Sequence, residues 1–254
     1  MSLSIFSLNL WNLNGDVAAR MRTADDYVAL RWPDLLCLQE VSPLPGVGRP
    51  QSDLVGTQIA GLARFYSSQT QWDDREEGLS TLSRLPVLSF DSMILPVAPG
   101  DRQRRIQIAA VDVSGKTVLV ANTHLAFRHE QDPERIVQCE TLLRHLEAAA
   151  ARHGTDAIVL VGDFNATPES GAVATLLRSE LGLKDLFADT KERESQFTYV
   201  TDSPFTEQDA DSRWIDYVFA TESLTATSRK LGLNGAETGG FASDHVALEV
   251  TFDL

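Results

Sequence analysis

Apolar positions along the chain fall into two rhythms. The first is short and dense. In AIVLVGDFN (residues 157–165) five apolar residues run without interruption before Gly162. A strand exposed on one face would alternate apolar and polar residues, so this run predicts a strand covered on both faces. It ends in Asp163 and Asn165, two residues apart and therefore on one face by strand alternation. A carboxylate and an amide at the mouth of a buried strand are costly unless something there needs them. LSIFSLNLW (3–11), DLLCLQEV (34–41) and KTVLVANTHL (116–125) are further strand-like runs that each end in polar residues.

The second rhythm is helical. Residues 132–154 place Ile136, Cys139, Leu143, Leu146 and Ala150 on one stripe. Asp132 is the candidate N-cap, Pro133 suits the first turn and Gly154 the stop. Asp16 to Trp32 predicts a helix closed by Pro33, and Glu169 to Arg178 another. The loop PLPGVGRPQSD (43–53) precedes a short helix expected to end near Ala63. RFYSSQTQW (64–72), GLSTLSR (78–84), VLSFDSMIL (87–95) and RRIQIAAVDV (104–113) predict strands, with a hairpin turn at SGK (114–116). SQFTYV (195–200), RWIDYVFA (213–220), SLTATSRKL (223–231) and HVALEVTFDL (245–254) predict the last four. Two β-rich halves, each with helices, make an α/β protein: two sheets packed face to face and flanked by helices, a single domain over residues 1–254.

Composition narrows the function. A net charge of −14 argues against a general duplex-binding surface, but a local phosphate site remains compatible with it. Two cysteines make no disulfide framework; Cys37 and Cys139 are expected to be buried free thiols. No apolar run reaches the length of a membrane span, and the N-terminus does not resemble a cleavable leader, so the expectation is a cytoplasmic protein without stable membrane insertion.

The polar residues that could carry chemistry recur at strand ends: Asn9, Glu40, His124, Asp163, Asn165, Asp216, Asp244 and His245. Each alone reads as a cap or turn residue. Together, if gathered at one edge of the sandwich, they would form a pocket of hard oxygen donors, amides and imidazoles. That set suits Mg2+ or Mn2+ rather than zinc, and no glycine-rich nucleotide loop is present.

LQE (38–40), THL (123–125), GDFN (162–165), IDYVF (215–219) and SDH (243–245), in this order, resemble the endonuclease/exonuclease/phosphatase superfamily. The resemblance implies a four-layered sandwich of two packed mixed β-sheets flanked by helices. It also implies hydrolysis of phosphate esters, most naturally diesters, with Mg2+ or Mn2+. Glu40 would then bind metal, Asn9 would help place metal and phosphate, and Asp244 would be a direct or indirect metal ligand. Asp163 would orient or deprotonate the attacking water, with Asn165 donating to a phosphoryl oxygen or holding Asp163. His245 would contact the scissile phosphate, with Asp216 as its partner.

His124 resembles the histidine of deoxyribonuclease-like members, whose glutamate partner would fall at Glu77. Arg84, Arg104, Arg105 and, on the helix after THL, Arg135 are candidates to bind substrate. Abasic-site endonucleases carry an acid two residues after the asparagine, where this chain has Trp11. LNLWNLNG, LQEV and the Arg135 segment lie closer to the tyrosyl-DNA phosphodiesterase branch. The expected substrate is a phosphate ester: a nucleic-acid end, a nucleotide-like diester or a lipid headgroup. The alternative is a catalytically silent phosphate- or nucleic-acid-binding module on the same scaffold. Such a module would be expected to have lost Glu40, Asp163, Asn165 or His245, and all four are present.

Overall fold

The structure is a computed structural model that describes residues 2–72, 75–207, 210–236 and 240–254. Its strands are β1 (Ser2–Asn9), β2 (Leu35–Val41), β3 (Ala63–Trp72), β4 (Arg75–Ser83), β5 (Val87–Leu95), β6 (Arg104–Val113), β7 (Lys116–His124), β8 (Ala157–Asp163), β9 (Leu183–Asp185), β10 (Asp216–Thr221), β11 (Thr225–Gly232) and β12 (Ala247–Asp253). Its helices are α1 (Val17–Arg31), α2 (Asp132–His153), α3 (Gly171–Leu177) and α4 (Lys191–Ser195). Two six-stranded sheets result, ordered β11-β12-β1-β2-β4-β3 and β5-β6-β7-β8-β10-β9. Both are mixed, as the family resemblance implies.

Alternation along β1 and β2 divides their side chains between two layers. Leu3, Ile5, Leu35 and Cys37 face the other sheet and join one apolar cluster with β6, β7, β8 and β10. Phe6, Leu8, Leu36 and Leu38 face outward against Met21, Ala24, Tyr27 and Val28 of α1. On the far side α2 lays Cys139, Leu142, Leu143 and Leu146 over the second sheet. The four layers are therefore helix, sheet, sheet and helix. Both cysteines are buried free thiols, each pushed up to about 12 mainly by burial. Among the described residues no helix is long and apolar enough to cross a membrane.

The layer between the sheets turns polar toward one end. Asn122 Oδ1 accepts from Gln39 Nε2 at 2.8 Å, and its Nδ2 donates to the carbonyls of Leu38 and Ser80 at 3.2 and 3.1 Å. Gln107 accepts from Thr81 Oγ1 at 2.8 Å and donates to the Leu79 carbonyl at 3.0 Å. All four side chains are buried, so each bond replaces one that water would otherwise make. Asn122→Leu keeps the volume but removes three buried hydrogen bonds at once, leaving Gln39 Nε2 only its longer contacts to Ser7 Oγ and the Cys37 carbonyl. The expected result is a loss of about 3 kcal/mol in urea unfolding, and a loss under 0.5 kcal/mol would contradict it.

Three local readings need correction, and two short elements gave no pattern to read. SQFTYV is not a strand; Tyr199 makes only isolated bridges to Arg213 and His245. The segment before Ala63 holds a single 3-10 turn, Gln51–Leu54, in place of a helix. β9 and α4 carry too few residues to show a period. Finally, Asp132 is the first residue of α2, with Gln131 at the cap position. Its carboxylate instead accepts the Gly171 N–H at 2.9 Å, so it caps the start of α3. Residues distant in sequence make that bond, which local propensity could not reveal.

Candidate active site

Topology gathers the polar strand ends. β1 and β2 run parallel, as do β7 and β8, so each pair delivers its C-terminal residues to one end of its sheet. Asn9 is opposite Gln39, and His124 is opposite Asp163. The antiparallel neighbours bring their starts to the same end: Asp216 is opposite Asp163, and Arg105 is opposite His124. β12 begins there too, with Leu248 opposite Ser7, which places Ser243-Asp244-His245 above β1.

Gly162 makes the junction possible. Its φ is +143°, and a Cβ there would lie 2.0 Å from the Thr123 carbonyl oxygen. Only glycine lets β8 close on β7 one residue before Asp163. Asn165, in turn, sits at φ 49°, a left-handed conformation asparagine tolerates better than most residues. It is therefore not in line with Asp163 on a continuing strand. Its backbone N–H instead donates to Asp163 Oδ1 at 2.9 Å, and its Nδ2 to the Leu125 carbonyl at 3.3 Å.

Asp163 is the hub. Asn9 Nδ2 donates to its Oδ2 at 3.0 Å, while the Asn9 oxygen accepts from the Trp11 N–H at 3.0 Å, which settles the amide's orientation. His124 Nε2 and His245 Nε2 lie 3.6 and 3.8 Å from the same Asp163 oxygen. His245 Nδ1 is 2.8 Å from Asp216 Oδ2. Burial works against the charged ring, but Asp216, Asp163 and Asp244 outweigh it and raise the His245 pKa well above its ordinary value. The upward shift favours the protonated ring, with Nδ1 donating to Asp216 Oδ2 and Nε2 left 3.8 Å from Asp163 Oδ2.

A second half lies on the first sheet. By alternation Glu40 would follow Leu38 toward α1. A bulge between Leu38 and Val41 and a φ of 49° at Glu40 turn it instead toward the other acids. Loss of solvent, then the charges of Glu77 and Asp244, raise its carboxyl well above the usual range. Asn12 Nδ2 donates to Glu40 Oε2 at 2.6 Å, and Asn12 Oδ1 accepts from Ser42 Oγ at 3.0 Å. Asp244 accepts from Ser243 Oγ at 3.0 Å. Glu77 is buried and lies 3.3 Å from Arg104 Nη1 and 3.4 Å from His124 Nδ1.

Asn9, Glu40, His124, Asp163, Asn165, Asp216, Asp244 and His245 thus meet in one cluster. Three of the named arginines do not join it. Arg84 follows β4 at the opposite end of the sheet, where Ser83 is opposite Leu35, and pairs with Asp34 at 2.6 Å. Arg105 reaches Ser92 Oγ on β5 at 3.3 Å, whereas its neighbour Arg104 is the buried cation beside Glu77 and His124. Successive strand residues project to opposite sides, so only one of an Arg-Arg pair could reach the site. Arg135 is buried and donates to the carbonyls of Ala126, Arg128 and His129, bracing the loop after His124. Asn12 escaped the sequence reading altogether. Its only signal was its place three residues after Asn9.

The donor set fits a hard divalent cation. Glu40, Glu77, Asp163, Asp216 and Asp244 crowd carboxylates into one region, where burial first, then Glu77 and Asp244, raise the Glu40 carboxyl. Asp163, Asp216 and His245 also bring ligand atoms within 4.8 Å of one another. Within that trio His245 Nδ1 and Asp216 Oδ2 already lie 2.8 Å apart, in hydrogen-bond contact with each other.

The family model for the endonuclease/exonuclease/phosphatase family matches residues 9–245. The chain belongs to that family. It is 27% identical over 169 residues to tyrosyl-DNA phosphodiesterase 2 of Bos taurus, covering 64% of this chain and 42% of that protein. It is 26% identical over 261 residues to nocturnin of Drosophila melanogaster, covering 87% of this chain and 40% of that protein. The chain thus spans less than half the length of these two relatives. A family protein from Leptotrichia buccalis superposes with a TM-score of 0.78 at 17% identity, covering 99% of this chain and all of the other, which speaks to the fold.

Proposed function

We propose that this chain hydrolyses phosphodiesters with Mg2+ or Mn2+, acting on a nucleic-acid end or a nucleotide-like diester. One observation carries the reading: a single carboxylate oxygen of Asp163 faces Asn9 and the Nε2 atoms of both His124 and His245, with Asp216 behind His245. A carboxylate held by fixed donors is set to take a proton from water. Imidazole N–H groups beside it are placed to donate to phosphoryl oxygens as their charge grows. Glu40 and Asp244, with Asn9 beside them, would hold the cation, which when bound supplies Lewis-acid stabilisation of the phosphate.

In this scheme Asp163 accepts the water proton, and Asn9 and the Asn165 N–H hold its carboxylate in line. Asn165 and His124 steady the non-bridging oxygens. His245, an imidazolium kept charged by Asp216, passes its Nε2 proton to the departing oxygen. The name of the bovine relative supports a diester on DNA, and the scarcity of lysine argues against substrates with several phosphates. The acidic surface favours an end or a small diester over a long duplex.

The direct test is turnover with Mg2+ or Mn2+ of 5′-tyrosyl DNA, abasic duplex, single-stranded DNA, sphingomyelin, inositol phosphates and a generic aryl diester. Tight binding without turnover of any of them would favour the silent module. His245→Gln removes the charged donor, and kcat is expected to fall about a hundredfold or more. A better leaving group should shrink that deficit, because proton donation then matters less. An equal deficit on all leaving groups would remove His245 from the proton-donating role.

A further inference from the structure

The phosphodiesterase reading assigns no role to one buried cation on the first sheet's helix. Arg20 of α1 is 2% exposed. Its Nη1 donates to the carbonyls of Leu10 and Ala242 at 2.6 and 3.0 Å, its Nη2 to that of Asn12 at 2.8 Å, and its Nε to that of Asn14 at 3.0 Å. The guanidinium also lies 5.1 Å from the Trp11 ring centroid and 5.9 Å from that of Phe205. Burial pulls its pKa down to about 10, with Asp244 and Glu40 the leading charges that oppose the fall, so it stays charged at neutral pH.

What those carbonyls belong to gives the contact its meaning. Leu10 follows Asn9, the donor to Asp163. Asn12 grips Glu40. Ala242 stands two residues before Asp244. Two loops far apart in sequence, both carrying cation-side residues, therefore close on one planar group. We infer that Arg20 is a positioning residue for the cation seat: its guanidinium locks the 10–14 loop to the 242–245 loop and so fixes Glu40 and Asp244 relative to each other. The inference rests on the metal-dependent reading above.

A guanidinium suits the task because its N–H groups diverge in one rigid plane, while an ammonium offers one point on a flexible stem. Lysine would keep the charge and lose the simultaneous grip on both loops. A role in charge alone thus predicts that Arg20→Lys behaves as wild type, and a role in geometry predicts that it does not.

The test is Mn2+ binding to the whole protein by calorimetry, well below the unfolding temperature, for wild type, Arg20→Lys and Arg20→Met. Mn2+ affinity is expected to fall about tenfold to a hundredfold in Arg20→Lys, at unchanged far-ultraviolet circular dichroism. A purely structural role would lower Tm and leave the Mn2+ affinity of the folded protein unaltered. Folded Arg20→Lys binding Mn2+ within about twofold of wild type, well short of the loss expected for a supporting residue, overturns the inference. Should neither variant fold, amide exchange of the wild type decides: Mn2+ is expected to slow residues 10–14 and 242–245 together, and protection of one loop alone overturns it. Wild type that binds no Mn2+ defeats the metal-dependent reading itself, a different failure from wild-type binding that Arg20→Lys shares.

Discussion

Asp163→Asn is expected to lower kcat/KM by about a thousandfold or more on whichever diester is turned over. The substitution keeps side-chain size and removes the carboxylate that accepts the water proton in the proposed scheme. It also brings an amide N–H toward groups that already donate, since Asn9 Nδ2 and the Asn165 N–H both point at this carboxylate. A stability loss of about 1–3 kcal/mol should therefore accompany the loss of rate. The two effects separate by urea titration and by assay at temperatures where the variant stays folded. Undiminished turnover in folded Asp163→Asn would show that another group takes the proton.

Removal of divalent metal is expected to abolish turnover, and Mg2+ or Mn2+ to restore it without refolding. Because the cation would bind the folded chain and not the unfolded one, saturation should raise stability by about 2.7 kcal/mol at a hundredfold excess over Kd. Glu40→Gln sharpens this test by giving two effects of opposite sign. In the chelated protein the Glu40 carboxyl is pushed up by lost solvation and by Glu77 and Asp244, so its charged form costs stability. The sign follows from linkage: a carboxyl raised on folding opposes folding above its unfolded pKa and ceases to do so as the pH falls below it. The neutral glutamine should accordingly unfold at higher temperature than wild type at pH 7 in chelator, yet require much more metal for activity. A variant that is less stable in chelator and unaffected in its metal requirement would move the cation seat away from Glu40.

The candidate chemistry was legible in the chain because catalysis demands particular residue types at strand ends, and strand ends show in the apolar pattern. AIVLV predicts a strand covered on both faces, and β8 is buried along its length between β7 and β10. The stripe on residues 132–154 predicts α2, since a helix that covers a sheet must keep one apolar face. SQFTYV failed for the complementary reason: alternation records which side chains are sheltered, not whether a backbone partner runs alongside, and Tyr199 finds only isolated bridges.

The arginines show where such legibility stops. Arg84, Arg104, Arg105 and Arg135 look alike as a list of cations, but one is at the wrong end of its strand, one faces an edge strand, one braces a loop and only Arg104 reaches the histidine. Arg20 carried no signal and Asn12 only its place three residues after Asn9, since their partners are backbone carbonyls and a glutamate brought near only by folding.

The sequence by itself determined the element types, the two-sheet α/β class and the residue types at strand ends, because burial and chain stiffness act on near neighbours. Only the tertiary structure decided which ends meet, that Glu40 turns inward on a left-handed bulge and which buried arginines lie beside those ends. Those outcomes depend on strand direction and on hydrogen bonds between distant segments, which exist only once both sheets are packed.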